Sequence, residues 1–334
     1  MQAEAFHPQE WFPHNEDAHG YNGPLSIEPA EVFPIADRFF ESYQSKGLPY
    51  IPDMFSSGET ANGMYLIAMT ALEANVGADH HLVGCGHAMR STCKGFRTTA
   101  ADYVTKSQKR SNVTIRCDAT VDKVILERVS DGTLQAKGAE YVDSDGNRHR
   151  AFARKEVLLA GGTYNTPTML LRSGVGPKAE LEALGITVQL DLPGVGKNLQ
   201  DHNLIFTYYE ISEPNLTDDA RVNHDPDAYE TGSAEWKEKG TGWLATFPFG
   251  AFAFARLSDR LDRDDPGYWG ALQRAPDRDP MDLTESQPNL EFFHTVCYGG
   301  PPEYTDFPKE GQWAIAMCCF LCGAQSRGEV TIKR

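Results

Sequence analysis

The chain has 334 residues, with 31 Lys and Arg against 47 Asp and Glu and a formal net charge of −16. That length accommodates two domains and a sizeable core. So acidic a surface repels phosphate backbones, which argues against nucleic acid and anionic membrane as partners, and no run approaches the ~20 apolar residues that cross a bilayer.

The opening residues, MQAEAFHPQEWF, show neither the basic nor the apolar region of a secretory signal, and localisation stays open. Residues 1–24 are rich in Pro, His, Asn and Gly and lead into a short predicted strand at Leu25–Ile27. Pro34 to Lys46 predicts an amphipathic helix: Pro34 suits its first turn, Gly47 its stop, and Ile35, Phe39 and Tyr43 recur on one face. From residue 70 to 94 no period emerges, and the stretch reads as a long loop or as intron sequence translated in error. His81, Cys85, His87 and Cys93 fall there. They are metal-ligand types, but their spacing fits no zinc motif and they are read as incidental.

Asn112 to Leu126 predicts two β segments, one alternating Val113, Ile115 and Cys117, the other carrying Val121, Val124 and Leu126. Gly138 to Lys155 predicts a hairpin about the turn Asp143–Gly146. Val157–Ala160 reads as a short strand buried on both faces, which stops at Gly161-Gly162. A helix is expected next, with Thr166 as cap and Pro167 in the first position, until Gly174 and Gly176 break it before Pro177. A strand, a glycine pair and a helix N-terminus together form a seat for an anionic cofactor. Beyond His202 come a predicted strand at Asn203–Ile211, a polar irregular stretch at 213–238, and a Phe- and Ala-dense run from 240 to 257. A mobile surface segment is expected at 259–280, and strands at Asn289–Val296 and Trp313–Leu321. The seven cysteines are odd in number and irregular in spacing, so no disulfide framework is read; Cys319 and Cys322 are taken as core.

The order Gly162-Thr163, Thr166-Pro167, Leu170-Leu171 and Ser173-Gly174-Val175-Gly176 resembles the second signature of the glucose-methanol-choline (GMC) oxidoreductases. These are FAD-dependent enzymes that oxidise alcohols and related donors. The likeness continues through Gly185-Ile186, Pro193-Gly194-Val195-Gly196 and Asn198–His202. Gly95–Val104 resembles the helix that precedes the family's next strand, and Ser326–Ile332 resembles its Ser-Arg-Gly-x-Val-x-Leu strand. The resemblance implies an α/β protein, α+β overall. Its parts would be an incomplete two-dinucleotide-type parallel sheet with a β-meander, and an antiparallel-sheet substrate-binding domain. Residues 1–94 are expected to connect and partly serve the substrate domain, 95–202 to be the remainder of the FAD-binding domain, and 203–334 a truncated substrate-binding domain.

FAD is the implied cofactor, held by the main chain of Val121 at the adenine ring and by Gly161 and Gly162. The implied reaction moves hydride from a small-molecule alcohol to flavin N5, with a base taking the hydroxyl proton. Two parts of the family pattern do not stand in this sequence. No G-x-G-x-x-G pyrophosphate turn is present; Gly84-Cys85-Gly86 comes nearest and fails at the third glycine. The family's catalytic His pair is expected beyond Arg334, so no catalytic residue is assigned, and Asp201, His202 and His294 are read as structural. The chain is therefore expected to be a fragment, inactive alone and served by a missing complementary segment. The alternatives are a catalytically inactive GMC-derived binding or scaffold protein and, disfavoured by the lack of any dinucleotide fingerprint, a nicotinamide dehydrogenase.

Overall fold

The computed structural model describes residues 4–29, 33–54, 84–105, 111–246, 249–256, 287–300 and 308–333, with 267 and 271. The expectations for 70–83, including His81, and for nearly all of 259–280 lie outside the described residues. Contacts divide the chain into two units: Met1–Lys109 with His202–Ala324, and Arg110–Asp201 with Gln325–Arg334.

In the first unit, β1 (Glu4–Phe6) runs parallel to β2 (Leu25–Pro29), the strand expected after Pro24. The expected helix follows as α1 (Pro34–Ser45), with Pro34 in its first turn and Gly47 beyond its end at φ +86°. Ile35, Ala36, Phe40 and Tyr43 are its buried face. Burying a side chain the size of Ile or Phe contributes roughly 1.5–3 kcal/mol, so this stripe rather than helix propensity holds α1. Next come β3 (Gly84–Gly86), β4 (Met89–Arg90), β5 (Thr92–Cys93), β6 (Phe96–Arg97) and the short α2 (Asp102–Thr105).

The second unit begins with a β-meander: β7 (Ala119–Arg128), β8 (Leu134–Asp143) and β9 (Arg148–Phe152), antiparallel in that order. The hairpin turn is where the sequence puts it. Asp143 Oδ1 accepts from the N–H groups of Asp145 at 3.0 Å and Asn147 at 2.9 Å, and Gly146 takes the left-handed conformation at φ +82°. The helix α3 (Gly162–Arg172), β10 (Val175–Gly176), α4 (Lys178–Ala183) and β11 (Leu190–Asp191) complete it, with Leu171, Val175, Leu181 and Val195 as core.

The chain then returns to the first unit with β12 (Asn203–Ile211), α5 (Asp219–Val222), α6 (Ala228–Lys239), β13 (Phe249–Ala255), β14 (Leu290–Thr295) and β15 (Trp313–Leu321). The sheet is antiparallel in the order β12-β15-β14-β13-β3, with Thr207 opposite Met317, Phe292 opposite Cys319, and Ala253 opposite Cys85. Ala36, Phe40 and Tyr43 of α1 pack on Cys85, Ala251 and Ala253 of this sheet. The fold is thus α/β in class, with an antiparallel sheet in one unit and a meander in the other.

Five local expectations are corrected. Val157–Ala160 forms no strand and Leu158 is 79 % exposed; residues 113–117 are likewise unpaired, with Ile115 64 % exposed. A β-prone run becomes a strand only where another backbone accepts its hydrogen bonds, and among the described residues none does so at either stretch. The polar segment 213–238 is not irregular but holds α5 and α6. Ser326–Ile332 forms no strand; a single bridge joins Gly328 to Leu199, and Val330 N–H donates to Gly196 O at 2.7 Å. Finally, α3 starts at Gly162, leaving Pro167 inside the helix rather than first in it.

Candidate functional site

The glycine pair sits at the start of α3, and its two members do different things. Gly162 lies at φ +82°, and a Cβ there would meet nothing within 4 Å, so it is required by backbone conformation and faces open space. Gly161 is required by packing: a Cβ would come within 2.6 Å of Met169 Cε and 3.0 Å of Asn165 Cβ. The Thr166 hydroxyl accepts from Gly161 N–H at 3.0 Å, which closes the turn backwards instead of capping a helix that starts beside it. No side chain caps α3, and Gly162, Thr163, Tyr164 and Asn165 of its first turn are exposed. The free N–H groups and positive dipole end of α3 are therefore open to an anion.

The other end of α3 is fastened to β7. Arg172 Nε donates to Asp122 O at 2.7 Å and its Nη2 to Val121 O at 3.3 Å. Ser173 Oγ donates to Met169 O at 2.6 Å and accepts from the buried Val124 N–H at 2.8 Å. The β7–β8 register shifts between Val121 and Lys123, beside the carbonyls that Arg172 engages. β7 pairs only with β8 among the described residues, so its other edge carries no ladder there. Val121 is thus tied to the last residue of α3 through the Arg172 side chain, and the glycine pair stands at the start of the same helix. Sequence reasoning named Val121 and the glycines but passed over Arg172, the base in the last turn of α3. The clue available was a long cation at a helix C-terminus, where carbonyls collect.

The remaining glycines of the signature are places of close backbone approach. Gly174, at φ +81°, has no room for a Cβ against Thr187 O, and Gly196, at φ +79°, has none against Val330 O. Lys197 joins Glu180 at 2.7 Å to Glu329 at 2.6 Å, which holds the final segment on this unit.

Of the three residues considered as catalytic substitutes, His294 is not set up as a base. His294 is fully buried: its Nε2 accepts from Ala251 N–H at 3.0 Å, its Nδ1 donates to Thr295 O at 2.9 Å, and its ring stacks on Phe39 at 4.0 Å. Burial lowers its pKa to about 4 against the small opposing pull of the Thr295 carbonyl, so it is neutral with both nitrogens engaged. His202 lies edge-on to Phe320 at 5.9 Å, and Asp201 belongs to the other unit. Of the metal-ligand types, His87 is ringed by Trp11, Phe40 and Tyr50, and burial lowers its pKa to about 4. Cys85 is a buried free thiol of β3, pushed up to about 11 by burial, and Cys93 is a half-buried free thiol of β5.

The family profile described as GMC oxidoreductase matches residues 55–204. Alcohol oxidase 1 of Komagataella phaffii is 28 % identical over 327 residues, covering 95 % of this chain and 44 % of that protein. The oxygen-dependent choline dehydrogenase of Pseudomonas putida is 34 % identical over 245 residues, covering 72 % of this chain and 38 % of that one. A crystal structure of formate oxidase superposes with a TM-score of 0.78 at 21 % identity, over 99 % of this chain and 53 % of that one. The α/β fold is the one this chain shares with formate oxidase. The chain belongs to the GMC oxidoreductase family. It spans less than half the length of the curated relatives it matches. No helix among the described residues is long and apolar enough to cross a membrane.

Proposed function

We propose that this chain is part of an FAD-dependent oxidoreductase acting on the CH–OH group of a small-molecule donor. The observation that carries the reading is the uncapped N-terminus of α3 behind Gly161-Gly162, in a chain of this family. The residues present suit a dinucleotide. The open space at Gly162 and the exposed first turn admit a phosphate to main-chain N–H groups. Val121 stands on a strand edge, where backbone groups can pair with the rim of an adenine; Arg172 occupies its carbonyl, but a carbonyl oxygen has a second lone pair. The roles are therefore Val121 at the adenine, with Gly161 and Gly162 at the phosphates. When bound, the flavin supplies the hydride acceptor.

On this reading Arg110–Asp201 with Gln325–Arg334 is the cofactor-binding part, and the antiparallel sheet of the other unit serves the donor. The pyrophosphate turn and the proton-accepting His pair would come from a complementary segment outside this sequence. FAD titrated into the chain, followed by quenching of flavin fluorescence with ADP as competitor, tests the assignment. Binding weakened at least about tenfold by Gly162→Val, with an unchanged circular dichroism spectrum, is expected. No binding, or equal binding by the variant, refutes the assignment to these residues.

A further inference from the structure

The unit formed by Met1–Lys109 and His202–Ala324 contains a cavity of about 520 Å³ that the flavin reading does not use. Its charged lining, among the described residues, is Arg90, Lys94 and Arg221 against the single acid Glu28. This reverses the sign of the whole chain, in which acids outnumber bases 47 to 31. A cavity of one sign with low-dielectric walls concentrates ions of the other.

The bases are held in place. Arg90 is 14 % exposed and its Nη2 lies 3.2 Å from Glu28 Oε1, which also accepts from Thr92 Oγ1 at 3.0 Å. The Nη1 of Arg90 reaches only a long contact, 3.4 Å, to Ala245 O, and its buried Nε has no hydrogen-bond partner. One acid thus satisfies one corner of a five-donor fork, and the guanidinium retains donor capacity in a protected place. Arg221 is fixed at the cavity by Asp218, with Nε at 3.0 Å and Nη2 at 2.5 Å. Lys94 enters the lining on a backbone turned left-handed at φ +49°, an uncommon conformation for a side chain with a Cβ. Phe33 and Pro34 add the first turn of α1, whose N-terminus has no side-chain cap and carries the positive end of a 12-residue helix dipole.

We propose that this cavity binds a small organic oxyanion, a carboxylate or a phosphate ester, at Arg90, Lys94 and Arg221. The volume has room for more than a lone inorganic ion, so a larger molecule carrying the charged group at one end fits there. The site lies wholly within one unit and stands or falls independently of flavin binding.

Isothermal titration of the full chain with succinate, and separately with inorganic phosphate, tests this against sodium chloride at matched ionic strength. Saturable binding above the chloride control is expected. Lys94→Gln, an exposed position, should weaken it about tenfold, the loss of one charged hydrogen bond, without moving the unliganded melting temperature. Arg90→Lys keeps a charge beside Glu28 but removes the fork, and should weaken binding at least as much; if it fails to fold, Lys94→Gln carries the test. Preference for succinate identifies a carboxylate ligand, and preference for phosphate a phosphate ester. No heat beyond chloride with either probe, or undiminished binding by Lys94→Gln, overturns the proposal.

Discussion

His19 offers the clearest test of how the N-terminal part of the chain is held. The imidazole is 4 % exposed, stacked on Phe6 at 3.7 Å, and clasped between Glu4 Oε1 at 3.2 Å and Asp53 Oδ2 at 3.1 Å. Burial alone would lower its pKa, but the hydrogen bonds to Asp53 and Glu4 and their two negative charges outweigh it and raise the value from 6.5 to about 9. A proton held more tightly by the folded than by the unfolded chain stabilises the fold. The gain is complete below pH 6.5, fades as pH rises through the interval, and is gone above about 9. At 1.36 kcal/mol per unit this amounts to about 3 kcal/mol. The comparison is His19→Gln with the parent chain in urea unfolding from pH 6 to pH 10. The variant should be less stable by about 3 kcal/mol more at pH 6 than at pH 10, on top of a constant packing loss against Phe6. A stability difference that stays flat across this range would show that His19 is not charged in the fold, and the argument fails.

Other substitutions probe other joints. Ser173→Ala leaves the buried Val124 N–H without its acceptor and should cost about 1–3 kcal/mol, with faster hydrogen exchange at Val124 as the local signature. Asp219, fully buried, accepts from Thr217 Oγ1, Asn223 Nδ2, Tyr298 N–H and Ala314 N–H; Asp219→Ala strands these donors and should lower stability by at least ~3 kcal/mol in urea. Gly162→Ala places a Cβ at φ +82° and should cost about 1–2 kcal/mol even though the space is open, measurable as a lower urea midpoint. Gly161→Ala should cost more than local strain, because Met169 and Asn165 must move, and a compensating Met169→Ala should recover part of the loss.

The parts legible in the sequence are those whose partners are near at hand or whose pattern is strong. The hairpin about Asp143–Gly146 is local: an Asx turn and a left-handed glycine define it without help. The helix from Pro34 declares its face by spacing, and the long strands at 203–211, 290–295 and 313–321 by apolar content. What was misread depends on distant partners. Val157–Ala160 has strand composition, but composition cannot supply the neighbour that a ladder requires. α6 lies in a polar stretch read as irregular, and its support is distant: the Trp243 indole packs on the turn at Gly232 and donates to Ala228 O at 3.1 Å. At the candidate site, the glycine pair and Val121 were readable as a motif. The anchoring of Val121 and Asp122 by Arg172 was not, because it joins residues some fifty positions apart.

The bridge between Leu199 and Gly328 sets an order of events during synthesis. The unit of Arg110–Asp201 with Gln325–Arg334 is cut in two by the whole of His202–Ala324, so its last strap cannot dock until that excursion has left the ribosome. A nascent chain paused anywhere in that interval would present a meander and α3 lacking their final ties to Gly196 and Lys197. Closing so long a loop is slow compared with forming the hairpin itself. Chaperone demand should therefore peak late in translation, and a stop codon just before Gln325 should impair a unit whose other residues were all made long before.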